Sequence, residues 1–489
     1  MSVQTIDALA TATELLRALR ERRVSAVELL DLYLERIASH NPTLNAIVVP
    51  DYGRARELAK AADTARGRGE YGPLLGLPMT LKESINRVGL RTTAGVPAWA
   101  DYTSTADAPV AARVLAAGAV VMGKTNIPPM LDDWQANNTI YGRTNNPWDL
   151  ERTPGGSTGG GAAALAAGLT ALEYGSDIGG SIRVPAAFCG IYGHKPSETA
   201  IPRSGQFAFP PLPNAANALG VQGPLARSAE DLELAFDVVA GPDVGEDVAW
   251  RLEVPAARHE RLADFRVATL PWYDWVPVDR EIVASFEAVV ARLRRAGTRV
   301  QEATPEGFDA REHHTLYLSL LNAVTGARSS ADERRSRAER LRARDEEFAD
   351  AQLRGLEASA ADYLTWHGQR ERKRAAYRAF FRDWDVLLSP ITLVPAFPHY
   401  PLESPIGQRR IEVDGQQIPY RLQLFYPGVA TLPGQPATAF PTGFTQTGLP
   451  IGLQAIGPYL EDRTSIRFAA LLTQEIGGFR RPPGYDRAG

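Results

Sequence analysis

Two serines flanked by glycines are the residues of this sequence best suited to chemistry. Ser157 lies in the run TPGGSTGGG, and Ser181 lies 24 positions further on, in GSDIGGSIR. Because glycine tolerates positive φ angles and close approach of the backbone, both serines are expected in tight turns surrounded by N–H groups. Such a turn can stabilise an anion, and a serine within it can attack a carbonyl carbon.

Close packing is the alternative explanation for these turns, since glycine and alanine also let helices approach one another. Asp177 and Arg183, which flank Ser181, favour the chemical explanation. Buried polar groups need partners, and this carboxylate and guanidinium could supply each other. The two residues are therefore expected to pair beside the second turn.

A different function is suggested by the string GGGAAA at 159–164, which matches the dinucleotide fingerprint G-x-G-x-x-A. That fingerprint requires a β-strand directly before it. The preceding segment, 145–154, is polar and contains two prolines, so it is not expected to form a buried strand. Dinucleotide binding is therefore not predicted.

A serine nucleophile needs a base. His194 is the nearest histidine, but neither serine lies in a G-x-S-x-G elbow, so a Ser-His-Asp arrangement is weakly supported. A buried lysine can serve instead if burial keeps it neutral. Lys82, which follows the apolar run GLPMTL, is the first candidate, while Lys124 and Lys195 remain rivals that the pattern alone does not exclude.

The elements that must position these residues alternate between helices and strands. The first helix is predicted to be capped by Thr13, and the second to begin with a capping box of Ser25 and Glu28 and to end at Asn41-Pro42. Further helices are predicted at about 54–66, 108–117, 229–241 and 279–296, strands at 44–49, 119–122, 298–300, 386–390 and 449–456, and a hairpin turn at 413–416. This alternation predicts an α/β layered fold.

Composition excludes several classes of protein. With 44% apolar residues, 43 glycines and 36 prolines among 489 residues, the chain is typical of a loop-rich folded protein. A net charge of -4 without a basic half argues against nucleic acid as a ligand. A single cysteine and seven scattered histidines predict no metal site, and His313-His314 is expected on a helix face. Without a signal-like or membrane-spanning apolar run, we expect a cytoplasmic protein.

The motifs PGGSTGG, GSDIGGSIRVPAAFCGIYGHKP and GLPMTLKES resemble those of the amidase signature hydrolases. The resemblance extends from about Leu75 to Gly457, with GKTN and YGRTNNPW upstream of the serines and GQPATAFPTGF and GLPIGLQAIG near the end. It implies an amidase-signature fold over 1–489, in which a large mixed twisted sheet lies between α-helices. A single domain is expected, with a signature core at about 70–240 and 385–475 and a helical excursion at about 245–380.

The resemblance also implies a Ser-Ser-Lys triad. Ser181 would be the nucleophile, Ser157 the bridging serine after a cis peptide bond, and Lys82 the base. The implied oxyanion hole comprises the N–H groups of Ile178, Gly179, Gly180 and Ser181, and the implied supporting positions are Thr158, Asp177 and Arg183. Three positions depart from the family pattern: Thr158 replaces a second serine, Gly161 a serine or alanine, and His194 a leucine.

These features predict a cofactor-free amidohydrolase that acts through an acyl-enzyme on Ser181. Its substrates would be small carboxamides, including anilides, or related esters and carbamates. The residues expected to bind a hydrophobic acyl or aryl group are Leu131, Trp134 and Phe207, with Phe209, Phe425 and Tyr426 as further candidates; ordinary packing is the alternative for each. A monomer or homodimer is expected.

Two other functions stay open. One is the glutaminase subunit of a tRNA-dependent amidotransferase, against which the absence of an aligned Arg/Asp pair for a free α-amino acid counts. The other is a binding protein that kept the fold and lost catalysis, which the complete triad argues against.

Overall fold

An eleven-stranded mixed β-sheet organises the computed structural model, which describes residues 6–208, 218–344 and 346–486. The strands are β1 (Ile47–Pro50), β2 (Pro78–Lys82), β3 (Val120–Thr125), β4 (Asn137–Asn138), β5 (Gly142–Arg143), β6 (Glu173–Asp177), β7 (Tyr192–Lys195), β8 (Val221–Ala226), β9 (Arg266–Thr269), β10 (Arg299–Glu302), β11 (Val386–Pro390), β12 (Arg410–Val413), β13 (Gln416–Pro419), β14 (Ala437–Phe444) and β15 (Pro450–Ile456). The order in the sheet is β1-β3-β2-β6-β8-β7-β14-β15-β11-β9-β10. Strands β4/β5 and β12/β13 form two small separate ribbons.

The helices are α1 (Ala12–Arg20), α2 (Ala26–Leu44), α3 (Tyr52–Gly67), α4 (Pro109–Ala116), α5 (Gly159–Ala166), α6 (Arg183–Cys189), α7 (Ala229–Val239), α8 (Arg280–Arg295), α9 (Ala310–Gly326), α10 (Ala331–Arg342), α11 (Ala349–Glu357), α12 (Ala360–Asp383), α13 (Phe425–Thr431) and α14 (Asp462–Ile476). Apolar side chains cover both faces of the sheet and form two hydrophobic clusters. In β11, Val386 and Leu388 join one hydrophobic cluster and Leu387 joins the other, as the alternation of side chains along a strand requires. The predicted layered fold, with a large mixed sheet between helices, is confirmed.

Two helix boundaries differ from the prediction. Thr11, not Thr13, caps α1, because Thr11 has an extended backbone and forms a capping box with Glu14, while Thr13 lies inside the helix and donates to Asp231. Helix α2 continues past Asn41-Pro42 to Leu44, since the fixed φ of proline fits a helix and its missing N–H costs only one hydrogen bond. The capping box of Ser25 and Glu28 is confirmed.

The segment between 245 and 380 contains helices α8 to α12 and also the strands β9 and β10, which pair in parallel at one edge of the main sheet. No helix in the described ranges has the length and apolar character needed to span a membrane.

Strands β2, β3 and β6 position the site. Strand β2 is parallel to both of its neighbours, β3 and β6. The carboxyl ends of parallel strands meet at the same edge of a sheet, where ligands commonly bind. At this edge the three strands end at Lys82, Thr125 and Asp177.

Candidate active site

Lys82 lies at the end of β2, completely buried, and contacts the first glycine-flanked serine. Its Nζ atom is 2.7 Å from Ser157 Oγ and 3.0 Å from Ser176 Oγ. Burial lowers the pKa of Lys82 to about 7, although the charges of Asp177 and Glu173 act to raise it. Near neutral pH, much of this lysine is therefore an uncharged amine in contact with a serine hydroxyl, as a general base requires.

The two rival lysines are equally buried but have other partners. Burial lowers the pKa of Lys124 to about 8 and that of Lys195 to about 7, so basicity does not separate the three lysines. Contacts do. Lys124 Nζ donates to Thr92 Oγ1 at 2.7 Å, and Lys195 Nζ donates to the Gln435 carbonyl at 2.7 Å. Of the three candidates, Lys82 is the one bonded to a serine of the glycine-rich turns.

Ser157 lies in the turn that precedes α5. The peptide bond between Gly156 and Ser157 is cis, which confirms the expectation from the resemblance. A Cβ atom on Gly156 would lie only 2.4 Å from the Asp133 carbonyl oxygen, so the turn requires glycine here. Next in the chain, the Thr158 N–H donates to the Ser181 carbonyl at 3.2 Å and ties the two serine turns together.

Ser181 lies in a second turn, which the Asp177 carboxylate organises from the end of β6. That carboxylate accepts the N–H groups of Gly180 and Ile182 at 3.0 and 3.1 Å, and the Arg183 guanidinium at 2.8 and 3.0 Å. Burial acts to raise the pKa of Asp177, but the charge and hydrogen bonds of Arg183 outweigh it and hold the pKa at about 2. The predicted Asp177–Arg183 pair is present, and both side chains are completely buried.

Two aromatic side chains fix the peptide groups of this turn. Tyr317 Oη donates to the Ile178 carbonyl at 2.6 Å, and Trp134 Nε1 donates to the Gly179 carbonyl at 3.1 Å. In a trans peptide the N–H points opposite to the carbonyl, so these bonds also orient the N–H groups of Gly179 and Gly180. The Gly180 N–H, one of the four expected oxyanion donors, is already bonded to Asp177.

A cavity of about 200 Å³ opens beside both serines. The three residues predicted to bind substrate, Leu131, Trp134 and Phe207, all line it. Phe425 and Tyr426 do not, because both are buried in the hydrophobic core, as the packing alternative predicted. Phe209 lies outside the described residues.

Charged groups also border this cavity. The Arg328 guanidinium lies 4.0 Å from the centre of the Phe207 ring, and Asp132 pairs with Arg421 at 2.9 Å. The wall of the cavity therefore combines the apolar side chains of the predicted substrate residues with charged groups, one of which lies directly over Phe207.

Two functional candidates were missed by the motifs. Ser176 contacts Lys82 directly, and Glu173 is a completely buried acid at the start of β6. Both lie in β6, whose position beside β2 is set by strand pairing. The available signal was a glutamate and a serine in the short segment LEYGSD, which is otherwise suited to a buried strand.

Comparison with known proteins identifies the family. A family model described as Amidase matches residues 28–466, most of the chain. The chain belongs to the amidase family. Amidase-signature members hydrolyse amide C–N bonds, and this chain is accordingly an amidase-signature hydrolase.

Relatives of the amidase differ in the activities for which they are named. It is 33% identical to a glutamyl-tRNA(Gln) amidotransferase subunit of Roseiflexus castenholzii, over 94% of each chain. It is 32% identical to the indoleacetamide hydrolase of Bradyrhizobium diazoefficiens, over 92% of this chain and 84% of that protein. One similar solved structure is a chain of a vestigial protein complex that reveals the evolutionary origins of an s-triazine catabolic enzyme. It superposes on this amidase with a TM-score of 0.80 at 31% identity, and the match covers 96% of this amidase and 99% of that chain.

Proposed function

We propose that this amidase hydrolyses small carboxamides with a hydrophobic acyl or aryl group, with Ser181 as nucleophile, Ser157 as bridging serine and Lys82 as base. The observation that carries the proposal is the 2.7 Å contact between the buried Lys82 amine and the Ser157 hydroxyl, beside a cavity that Ser181 also lines.

In the acylation step, Ser181 Oγ attacks the amide carbon while its proton passes to Ser157 and the Ser157 proton passes to Lys82. The carbonyl oxygen becomes an oxyanion facing the N–H groups of Ile178, Gly179 and Ser181, since that of Gly180 is bonded to Asp177. Each donor in such a hole is worth about 3 kcal/mol. The ammonium of Lys82 then returns the proton through Ser157 to the leaving nitrogen, and the C–N bond breaks.

In the deacylation step, water attacks the ester carbon of the acyl-enzyme. The same two side chains take a proton from the water and return one to Ser181 Oγ, so the enzyme ends in its starting state and releases a carboxylic acid. The amine or ammonia has already left.

The cavity supports the substrate class. Leu131, Trp134 and Phe207 offer apolar contact next to the serines, and a cavity of about 200 Å³ suits a small ring or short acyl chain. The likeness to an indoleacetamide hydrolase agrees with an aryl-containing amide.

The likeness to amidotransferase subunits favours a second candidate, the release of ammonia from glutamine. In that case the amidase would act with partner chains, and glutamine would be its amide substrate. The apolar side chains of Leu131, Trp134 and Phe207 in the cavity favour the first candidate.

Labelling with a fluorophosphonate tests the nucleophile. Mass spectrometry should find the adduct on Ser181, and Ser181→Ala should abolish both labelling and hydrolysis. Ser329→Ala, which removes another serine that lines the cavity, is the matched control and should behave as wild type. An adduct on Ser329, or full activity of Ser181→Ala, would contradict the assignment.

The substrate class is tested with the purified chain and a panel of indole-3-acetamide, acetanilide, an aryl carbamate, an aryl ester and glutamine. Turnover of the aryl amides by the chain alone supports the first candidate. If the chain releases ammonia from glutamine and turns over none of the aryl compounds, the second candidate is supported.

A further inference from the structure

Glu173 is a buried acid beside the proposed base that the mechanism does not use. It lies in β6 with no exposed area, and its carboxylate accepts two hydroxyl groups, Thr80 Oγ1 at 2.5 Å and Thr125 Oγ1 at 2.6 Å. No arginine or lysine in the described ranges forms a hydrogen bond with it. A buried carboxylate of this kind is costly unless some nearby cation compensates its charge.

Strand register places Glu173 on the same face of the sheet as Lys82. Thr80 of β2 is the register partner of Glu173, and Lys82, two residues further along β2, is the partner of Thr125. Partners in adjacent strands, and residues two apart in one strand, point to the same face. The carboxylate therefore bridges β2 and β3 through the two threonines, alongside the Lys82 side chain.

Helix α5 covers this carboxylate and leaves space for it. A Cβ atom on Gly161 would lie 2.5 Å from Glu173 Oε1, so glycine at this position is what admits the acid. The helix contains only glycine, alanine and leucine, and so it adds no charge.

The other charged groups near the acid form hydrogen bonds with other residues. Asp177 of β6 is paired with Arg183 of α6, and Lys195 of β7 donates to main-chain carbonyls. Lys124 of β3 donates to the Arg91 carbonyl and to Thr92 Oγ1. Like Lys82, neither of these two lysines is bonded to a carboxylate, but Lys82 is the cation whose charge acts on Glu173.

We propose that Glu173 is a positioning residue that stabilises the ammonium form of Lys82 when Lys82 takes the serine proton. The proposal rests on the proposed function, because it needs Lys82 to be the base. It gives the buried acid a role in each catalytic cycle: the positive charge that develops on the lysine appears beside the Glu173 carboxylate.

The pKa shifts of the two groups agree with this role. Burial raises the pKa of Glu173 to about 7, against the hydrogen bonds of the two threonines and the charge of Lys82, which lower it. Lys82 also has a pKa of about 7. Both groups therefore change charge in the pH range in which the enzyme would work, and each affects the other.

Loss of the Glu173 charge should lower the pKa of Lys82. The carboxylate favours the charged form of Lys82 and so raises its pKa, in opposition to burial. Without it, Lys82 becomes a weaker base and stays neutral at lower pH. The acid limb of the pH profile should therefore move to lower pH, and the maximal rate should fall.

Glu173→Gln is the test, since it preserves the shape of the acid and removes its charge. We expect the acid limb of kcat/KM, and that of the rate of fluorophosphonate labelling, to move down by about one pH unit, the lower end of the shift that a nearby charge produces. Thr125→Val retains the acid but removes one bond to its charged form, and should move the limb in the same direction by a smaller amount.

Asp231→Asn is the matched control, because Asp231 is also a buried acid that accepts a threonine hydroxyl, but it lies where α7 meets α1. It should lower stability without moving the pH profile. A limb that stays in place, or moves to higher pH, in both Glu173→Gln and Thr125→Val would overturn the inference. If Glu173→Gln does not fold, Thr125→Val alone decides between these outcomes.

Lys82→Met separates this inference from the proposed function. If Lys82→Met keeps its activity, the proposed base is wrong and the inference falls with it. If Lys82→Met is inactive and the Glu173 and Thr125 variants leave the limb unchanged, only the role of Glu173 is wrong.

Discussion

Replacing Asp177 with asparagine should cost the amidase about 3 kcal/mol of unfolding free energy at pH 7, in the range found when one partner of a buried ion pair is removed. The pKa of Asp177 falls from its ordinary value of 3.8 to about 2 in the folded protein, which corresponds to roughly 2 kcal/mol of favourable interaction with the charged form. The remainder comes from Arg183, which stays buried with three neutral acceptors: the Pro427 carbonyl, Gln454 and Thr431.

The pH dependence follows from the same shift. Because the pKa of Asp177 is lower in the folded state, its contribution is complete above about pH 4, the ordinary range for an aspartate, and is lost as the pH falls through about 2. The variant should therefore be less stable than wild type at pH 7, and the difference should shrink in acid.

Urea unfolding followed by tryptophan fluorescence measures this difference. Asp264→Asn, which breaks an exposed pair with Arg261, is the control and should leave the unfolding midpoint unchanged. A double variant that also carries Arg183→Met should lose less than the sum of the single losses, since it leaves no unpaired buried charge. If Asp177→Asn unfolds at the same urea concentration as Asp264→Asn, the electrostatic account of this turn is wrong.

Three further predictions concern activity, and a fourth concerns packing. In wild type, kcat/KM should rise with pH through about 7 and level off above it, because the buried Lys82 acts only when neutral; a profile flat between pH 5 and 9 would contradict this. Lys82→Ala should reduce amide hydrolysis more than ester hydrolysis, since an amine leaving group needs the returned proton; equal losses on matched substrates would exclude that proton transfer. Trp134→Phe should lower kcat about fivefold with little change in melting temperature, because it removes the hydrogen bond to the Gly179 carbonyl that holds the Ser181 turn, worth about 1 kcal/mol. Trp148→Phe, which removes a similar bond to the Cys189 carbonyl, is its control. Gly161→Ala should destabilise the protein by about 1–3 kcal/mol through overpacking against Glu173, measured by urea unfolding; an unchanged midpoint would show that the carboxyl can move aside.

Local signals predicted much of the fold. The capping box at Ser25 needs only residues three apart, and the turn at Asp414-Gly415 needs only two residues that accept positive φ. The predicted cap of α1 was wrong because Thr11 and Thr13 are both possible caps. Thr13 instead contacts Asp231, a residue far along the chain, and that contact is not visible in the sequence. The turn at 413–416 was found, but it joins a small separate ribbon.

The candidate site divides in a similar way. Ser157 and Ser181 were found because their glycines are adjacent in sequence, and Lys82 because it follows an apolar strand. Choosing Lys82 over Lys124 and Lys195 required either a resemblance or a structure, since burial lowers the pKa of all three. Only the pairing of β2 with β6 brings one of these lysines to the serines.

Gly161 shows why such information stays hidden in a single sequence. Its departure from the serine or alanine of the family pattern has no evident reason within α5, where alanine would be the better helix former. The reason lies in β6: the Glu173 carboxyl occupies the space that a side chain at 161 would need. Gly161 in α5 and Glu173 in β6 therefore have to be considered together. Glycine is a poorer helix former than alanine, but it leaves the space in which the buried acid lies beside Lys82.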